Sequence, residues 1–260
     1  MSSVADAEIE IEKINSCNSI TTLNLSHRSV IVLPPTIGKL TELEVLLLCD
    51  CNLSMPPSEI GNLRNLKELS LDKNKLTMLP SDLGNLRSLQ TLTVSENPIS
   101  FLGNEFSMLS GLTKLFMDKV DLLSLPEEIC KLSSLKFLSF SHNNIDKIPE
   151  SVQSLVNLKW LRLSFNRLES LPESFNCLSK LLYLDLGSNN FNNIPQCLTE
   201  LPELSTLILQ YNDIYDIPEL FVKSFLTKGK VDFRYNKIKT MPIELMSLAN
   251  IHFQNVEKEE

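Results

Sequence analysis

The sequence predicts an α/β solenoid, a stack of similar coils in which every coil contributes one short strand to a parallel sheet. Nine segments of the chain open with a leucine or isoleucine at a constant spacing of 23 residues. These opening residues are Ile20, Leu43, Leu66, Leu89, Leu112, Leu135, Leu158, Leu181 and Leu204. A fixed period of about 20–50 residues is typical of stacked repeats, because one repeat alone cannot bury its apolar face.

The repeated phrase is L-x-x-L-x-L-x-x-N-x-L-x-x-L-P, a period and pattern that are those of a leucine-rich repeat. It is clearest in Leu66, Leu69, Leu71, Asn74, Leu76, Leu79 and Pro80. A tenth copy follows one residue out of register, with Val231, Phe233, Asn236, Ile238, Met241 and Pro242. We therefore predict a leucine-rich-repeat solenoid, a curved horseshoe about 45 Å long with its parallel β-sheet on the concave face and short helical or extended segments on the convex face.

Each part of the phrase predicts one element of a coil. Apolar residues at positions 4 and 6 alternate with variable residues at 3, 5 and 7, the period of a strand with one buried face. An asparagine at position 9 can hydrogen-bond to backbone groups of the neighbouring coil. It recurs as Asn74, Asn97, Asn143, Asn166, Asn189, Asn212 and Asn236. Proline at position 15 fixes φ and favours an extended or briefly helical outer side.

The unbroken period predicts one elongated domain of ten repeats over residues 20–250. We assign residues 1–19 to an N-terminal cap and residues 251–260 to a C-terminal cap with an acidic tail. Gly103 replaces the proline of the fourth repeat and Val120 the asparagine of the fifth, which predicts a local change of curvature. One extra residue in the ninth repeat, with Phe221, Val222, Phe225 and Leu226, predicts a longer outer helix. Gly38, Gly61 and Gly84 share position 19, where we expect a turn of the solenoid.

Composition narrows the classes of partner and the compartment. A formal net charge of −8 disfavours nucleic acid and anionic membranes as main partners. The longest apolar stretch, Val45 to Cys49, is far too short to cross a membrane, and we find no secretion signal. The six cysteines are scattered, which indicates a reducing compartment, so we predict a cytoplasmic protein. Cys49 and Cys51 form a C-x-C that could ligate a metal, but structural thiols are favoured because no second pair or nearby histidine accompanies them.

The chain lacks the patterns expected of an enzyme. His27 and His142 share repeat position 8 but are 115 residues apart, so they cannot belong to one site. We find no nucleophile turn, no phosphate-binding glycine loop and no H-E-x-x-H motif. We therefore predict a protein that is not an enzyme and has no cofactor and no metal.

Aromatic residues mark the later repeats at positions that a leucine core does not use. We expect seven of them to project from strand positions: Phe116, Phe137, Trp160, Phe165, Tyr183, Tyr211 and Tyr235. Four other residues lie between them: Arg162, Asp185, Ile208 and Arg234. Exposed aromatic residues beside arginine supply much of the binding energy of protein interfaces. We predict that these eleven residues form a protein-docking surface over repeats 5–10.

Phe137, Trp160 and Tyr183 are the sharpest part of this pattern, because each occupies position 3 of successive repeats. Their spacing predicts an aromatic ladder about 10 Å long. The alternative is that these rings only cover one another or pack against an end segment.

The unit Leu79-Pro80-Ser81-Asp82-Leu83-Gly84-Asn85-Leu86 resembles the Ras-group leucine-rich-repeat proteins, intracellular scaffolds that include Scribble, Erbin and the Ras suppressor protein. The resemblance covers residues 20–250 and is specific for fold rather than for partner. It implies an adaptor in intracellular signalling, cytoplasmic or held at the plasma membrane by a partner. Ras-family small GTPases and protein phosphatase catalytic subunits are the partners it implies. The alternative function is a regulatory or substrate-recognition subunit of a phosphatase or other enzyme complex.

One short motif bears on the phosphatase alternative. Lys230-Val231-Asp232-Phe233 resembles the basic-Val-x-Phe segment by which regulators dock protein phosphatase 1. Val231 and Phe233 also occupy core positions 4 and 6 of the tenth repeat, so a strand is the favoured interpretation.

Overall fold

A computed structural model describes residues 20–225, 229–239 and 251–252 of the chain. The chain divides into two compact units, the first formed by Met1–Leu122 with Lys131–Leu135 and the second by Leu123–Cys130 with Lys136–Glu260. The predicted N-terminal cap, most of the predicted C-terminal cap, and Leu226, Met241 and Pro242 lie outside the described residues.

Short parallel strands form a sheet in each unit, as predicted. Each of the ten repeats contributes one strand, and an eleventh strand lies at the start of the predicted C-terminal cap. The first unit contains β1 (Thr22–Asn24), β2 (Val45–Leu47), β3 (Glu68–Ser70), β4 (Thr91–Thr93) and β5 (Lys114–Phe116). The second contains β6 (Phe137–Ser139), β7 (Trp160–Arg162), β8 (Tyr183–Asp185), β9 (Thr206–Ile208), β10 (Lys230–Asp232) and β11 (Ile251–His252). Leu46 pairs with Leu69 and Leu69 with Leu92, so equivalent positions of successive repeats are direct neighbours.

The outer side of most repeats is a 3-10 helix, as the proline pattern suggests. The described residues form seven such helices: Pro35–Lys39, Ser58–Asn62, Ser81–Asn85, Asn104–Met108, Glu150–Ser154, Glu173–Cys177 and Gln196–Glu200. Gly103 has φ −69° and ψ 157°, close to the φ −65° and ψ 144° of Pro80, so the helix after it forms without the proline. Two outer segments are α-helices, Glu127–Cys130 and Glu219–Phe225. The second is the predicted longer helix, and it buries Phe221, Val222 and Phe225.

The asparagine at position 9 links neighbouring coils through its amide, as predicted. The Asn166 amide nitrogen donates to the carbonyl oxygens of Phe140 at 2.8 Å and Leu163 at 3.0 Å, while its oxygen accepts the Ile145 N–H at 3.0 Å. Asn166 is buried. Because Ile145 is fully buried, the Asn166 amide oxygen satisfies an N–H that water could not reach.

A left-handed residue at position 8 turns the chain out of each strand from β1 to β10, a feature that we did not predict. It recurs at His27, Asp50, Lys73, Glu96, Lys119, His142, Phe165, Ser188, Tyr211 and Tyr235, with φ between 53° and 62°. The described glycines have no positive φ. Backbone conformation therefore does not explain the glycines at Gly38, Gly61 and Gly84, where we expected a turn. Close packing does: a Cβ on Gly61 would lie 2.5 Å from the Asp82 carbonyl oxygen of the next coil. Glycine permits this close approach of neighbouring coils.

Candidate functional site

Three aromatic rings stack across β6, β7 and β8 in the second unit. Parallel pairing places Phe137 beside Trp160 and Trp160 beside Tyr183. The Phe137 and Trp160 ring centroids are 6.1 Å apart with an interplanar angle of 29°, and the Trp160 and Tyr183 centroids are 4.6 Å apart at 14°. These are stacked arrangements within the range that aromatic pairs prefer. We call these three residues the column-3 ladder; its predicted geometry is confirmed.

The column-3 ladder lies on the solvent side of the sheet. Leu138, Leu161 and Leu184, the next residue along each strand, are at most 2% exposed and face the core. Trp160 remains 41% exposed, while Phe137 and Tyr183 are half-buried. The rings shelter one another in part, but the core does not enclose them. An aromatic surface of this kind is available to another protein.

Charged side chains continue the surface on β7 and β8. The Arg162 guanidinium carbon lies 6.0 Å from the Tyr183 ring centroid, within reach of a cation–π interaction. Burial raises the pKa of the Asp185 carboxyl, although the Gly187 N–H, which donates to Asp185 Oδ1 at 3.0 Å, and a hydrogen bond with Ser164 oppose this rise. Burial and then the negative charge of Asp185 raise the pKa of the Tyr183 hydroxyl. The fold only partly stabilises the negative charge of Asp185, so a cationic group of a partner would stabilise it further.

Phe165, Tyr211 and Tyr235 do not lie on strands, contrary to our prediction. The strands end at position 5, and these residues occupy the left-handed bend at position 8, with φ of 56° to 59°. Bulky residues rarely adopt this conformation, so the bend after each strand must be held by its surroundings. All three side chains are about half exposed, between 47% and 51%.

The rings in the bends stack in two pairs. His142 stacks on Phe165 with centroids 4.0 Å apart, and Tyr211 stacks on Tyr235 with centroids 4.1 Å apart. We call these the bend pairs. We did not include His142 among the predicted site residues. Its place at position 8, one repeat before Phe165, is the sequence signal that indicates this stacked pair. The bend pairs extend the aromatic surface beyond the carboxyl ends of the strands.

Asp232 and Arg234 form a second charged feature that sequence analysis only half identified. Arg234 Nε donates to Asp232 Oδ1 at 2.9 Å, and Arg234 Nη2 donates to Oδ2 at 2.6 Å. Burial alone would raise the pKa of Asp232, but the hydrogen bonds and charge of Arg234 outweigh it and hold the pKa below its ordinary value. The guanidinium stays partly exposed, with a side-chain exposure of 46%. Asp232 and Arg234 are two residues apart, which places both side chains on one side of an extended chain. This spacing is the sequence signal that indicates the ion pair.

The last two predicted residues, Ile208 and Phe116, lie on different units. Ile208 on β9 is half-buried and pairs in register with Asp185 on one side and Asp232 on the other. Phe116 is half-buried on β5 of the first unit, where it pairs with Thr93. The structure therefore brings together ten of the eleven predicted residues on one unit, and describes Phe116 within the other.

The described part of the chain contains no cluster of three or more histidine, cysteine or acidic residues that could hold a metal ion. Cys49 Sγ lies 2.8 Å from the Ser70 hydroxyl, whereas the Cys51 thiol donates to the Leu25 carbonyl oxygen at 3.1 Å. Burial raises the pKa of the Cys51 thiol, which disfavours the thiolate that metals require. Among the described residues, the helices are all too short or too polar to cross a membrane.

The Lys230-Val231-Asp232-Phe233 segment is a strand followed by a core residue, as the favoured interpretation predicted. Val231 and Phe233 are 1% and 2% exposed. A docking motif needs these two side chains free, so the folded chain cannot use them to bind a phosphatase.

Two family models describe the repeats of this chain. A leucine-rich repeat model matches residues 41–99 and 64–122, and a leucine-rich repeat region model matches residues 124–227. No curated protein sequence matches the chain significantly.

Solved structures with the same fold come from bacteria and plants. A leucine-rich-repeat protein of Leptospira interrogans is 30% identical, with a TM-score of 0.70, and the match covers 93% of this chain and 74% of that one. The ectodomain of the Arabidopsis thaliana membrane receptor kinase GASSHO1/SCHENGEN3, in complex with CASPARIAN STRIP INTEGRITY FACTOR 2, is 26% identical, with a TM-score of 0.70. The plant peptide hormone receptor RGFR1, in complex with RGF2, is 26% identical, with a TM-score of 0.68. The chain is covered to 94% and 93% in these two matches but spans only 34% and 42% of the receptor chains.

Proposed function

The chain belongs to the leucine-rich-repeat family, and from that premise we propose that it is a non-catalytic scaffold or adaptor that binds a partner protein through the sheet face of its second unit. Leucine-rich-repeat proteins generally mediate protein–protein interactions. The observation that supports the site most strongly is the column-3 ladder, in which the single tryptophan of the chain stacks between two rings and stays 41% exposed. Folding alone gives no reason to expose this residue.

The chemistry of the face favours a partner with a mixed apolar and charged surface. Rings of the column-3 ladder and the bend pairs supply rigid apolar area, which costs little side-chain entropy on binding. Arg162 and Arg234 offer donors, and Asp185 offers an acceptor. Aromatic residues and arginine are the types in which interface energy concentrates.

We place this activity in intracellular signalling, with a Ras-family small GTPase or a protein phosphatase catalytic subunit as the partner. The resemblance of residues 79–86 to the Ras-group unit supports the pathway. Five cysteines of the described residues are free thiols, which fits a reducing, cytoplasmic compartment. Binding to the plasma membrane would then be indirect, through the partner. For the alternative, a regulatory or substrate-recognition subunit, docking would use the sheet face rather than residues 230–233.

The receptor complexes among the structural neighbours favour a second candidate, recognition of a peptide. Those two receptors hold CASPARIAN STRIP INTEGRITY FACTOR 2 and RGF2 on the same fold. If the chain binds an extended peptide, a synthetic peptide from the partner will compete fully with the intact partner. Binding of a folded protein surface predicts no such competition.

Affinity capture followed by binding measurements tests the proposal. Wild type and a Phe137→Ala, Trp160→Ala, Tyr183→Ala variant are used as bait, and each protein lost by the variant is purified and titrated directly. Tyr215→Ala is the matched control, because Tyr215 is 54% exposed but lies outside the face. We expect the control to bind like wild type and the triple variant to bind at least tenfold more weakly. Equal binding by all three baits would contradict the site, and turnover in a hydrolase screen that a single acidic or histidine substitution abolishes would contradict the non-catalytic role.

A further inference from the structure

A second apolar surface lies on the first unit, at repeat position 13 rather than on the sheet. Val32, Met55, Met78 and Phe101 occupy this position in four successive repeats. Their exposed fractions are 45%, 49%, 48% and 64%. Large apolar side chains exposed in a continuous column are uncommon on a protein surface without a binding role.

The later repeats show that the fold does not need an apolar residue at this position. Their residues at position 13 are Ser124, Lys147, Ser170, Asn193 and Asp216. The three coils that contain Lys147, Ser170 and Asn193 have the same three-residue strand and outer 3-10 helix as the first four repeats. The change from apolar to polar side chains coincides with the division between the two units. Folding therefore does not explain why the first four repeats expose valine, methionine and phenylalanine.

These side chains line a groove made of two adjoining hollows of about 560 Å³ and about 190 Å³. The larger hollow extends from Val32 past Met55 to Met78, and the smaller continues from Met78 to Phe101. Both are lined by Pro80, and the wall also contains prolines of the two preceding repeats. Since proline has no N–H, this wall offers few hydrogen-bond donors to a ligand. Methionine adapts its shape to different apolar partners. We call this surface the position-13 groove.

Negative charge accompanies the position-13 groove on one side. Asp82 and Glu105, at position 17, line the two hollows, and Glu59 occupies the same position one repeat earlier. Each belongs to the first turn of the outer 3-10 helix in its repeat. From position 12 to position 18, the first four repeats contain these three carboxylates and neither lysine nor arginine. A ligand of the groove should therefore carry lysine or arginine next to its apolar face.

We propose that the position-13 groove binds an amphipathic helix of a partner protein, with an apolar stripe flanked by basic residues. Equivalent positions of neighbouring coils recur about every 4.8 Å, close to the pitch of about 5.4 Å of an α-helix. Side chains on one face of an extended peptide recur about every 6.8 Å, so they would fall out of step within three repeats. A helix with apolar residues at i, i+4, i+7 and i+11 presents one of them per turn, so it matches a column of four apolar residues. This second site does not depend on the sheet face, because its residues belong to the other unit.

A fluorescein-labelled amphipathic helix made only of leucine and lysine tests the proposal. The comparison peptides are a leucine–glutamate helix of the same pattern and a leucine–lysine peptide that alternates like a strand. The key variant is Met55→Ser, Met78→Ser, Phe101→Ser, which copies the serines of later repeats and keeps the net charge. Fluorescence anisotropy measures affinity, and circular dichroism confirms the fold. We expect the leucine–lysine helix to bind wild type about tenfold or more tightly than it binds the variant, as for loss of a hot-spot cluster.

Four outcomes would overturn the proposal. Three concern affinity: the leucine–lysine helix binds the variant as tightly as wild type, or wild type binds the leucine–glutamate helix or the alternating leucine–lysine peptide as tightly as the leucine–lysine helix. The fourth is a wild-type dimer, seen by sedimentation, that the variant does not form. The last would mean that a second copy of the chain fills the groove. If the triple variant unfolds, Phe101→Ser alone serves, because Phe101 is the most exposed of the four. Trp160→Ala is expected to leave this binding unchanged, so failure of the sheet-face site and failure of the groove are distinguishable.

Discussion

Adjacent residues on one strand have opposite roles in this protein. Trp160 and Leu161 are neighbours on β7, yet Trp160 is 41% exposed and Leu161 is 1% exposed. Strand geometry points successive side chains to opposite faces, so the same three residues supply both core and surface. Substitutions one residue apart should therefore separate stability from binding.

Leu161→Ala should destabilise the second unit by about 2–5 kcal/mol, because it removes buried methyl groups and leaves a cavity. Trp160→Ala should change the free energy of unfolding by less than about 1 kcal/mol, since it removes a partly exposed ring. Urea denaturation followed by circular dichroism measures both. A large loss of stability in Trp160→Ala would assign this residue to the core and remove it from the site.

The position-9 amide gives a second prediction at the residue scale. Asn166→Ala leaves the Ile145 N–H without its partner and removes one of two amide donors from the Phe140 and Leu163 carbonyls, which keep Asn143 and Asn189 respectively. We expect a cost of about 1–3 kcal/mol in the free energy of unfolding, mainly from the buried Ile145 N–H that is left unsatisfied. Asn190→Ala is the control. Asn190 is an asparagine in the next coil, beside the position-9 residue Asn189, but it is exposed. Equal stabilities of the two variants would contradict the structural role of the amide.

The strands and bends together determine which side chains can meet. Strands of three residues place positions 3 and 5 on the solvent side, and the left-handed bend places position 8 beyond them. The register of 23 residues then aligns equivalent positions of neighbouring coils. Position 5 brings two carboxylates onto the same sheet, Asp185 on β8 and Asp232 on β10, and their environments differ.

These two carboxylates should affect stability with opposite dependence on pH. The lowered pKa of Asp232 means that its stabilising effect is complete above the unfolded pKa of about 3.9 and is lost as pH falls through the folded value. Asp232→Asn should therefore cost about 1 kcal/mol at pH 7, near the upper end for a partly exposed ion pair, and little at low pH. The raised pKa of Asp185 means that stability is lost as pH rises from the unfolded value through the folded one.

Asp185→Asn should consequently be more stable than wild type at pH 7, and the two should converge at pH 3. Urea denaturation of both variants and wild type across this range gives the test. If Asp185→Asn is less stable than wild type at pH 7, the carboxylate is better stabilised by its neighbours than the fold suggests.

Sequence periodicity predicts the strands, the core and the column-3 ladder because a strict repeat aligns equivalent side chains. It does not predict the bend pairs, since the pattern alone does not reveal that the strand ends at position 5 and that position 8 has a positive φ. The pairing of Asp232 with Arg234 depends on side-chain conformation, which the spacing of two residues permits but does not specify. Extra length in the ninth repeat, by contrast, correctly predicted the α-helix Glu219–Phe225.

At the scale of the whole molecule, the two units carry different surfaces. The first unit presents the position-13 groove, which is apolar with acidic residues at one side. The second presents the column-3 ladder and the bend pairs, with arginines that offset the acidic side chains. The two surfaces use different residues, so the separate variants proposed for each surface allow each proposed interaction to be removed alone.

The affinity of Trp160→Ala for a captured partner tests the account most directly. Isothermal titration calorimetry of wild type and variant should give a loss of about 2 kcal/mol in binding free energy, roughly thirtyfold in Kd, typical of an aromatic hot spot. The melting temperature should stay within a few degrees of wild type. An unchanged Kd in a variant that remains folded would contradict the claim that the column-3 ladder is the binding site.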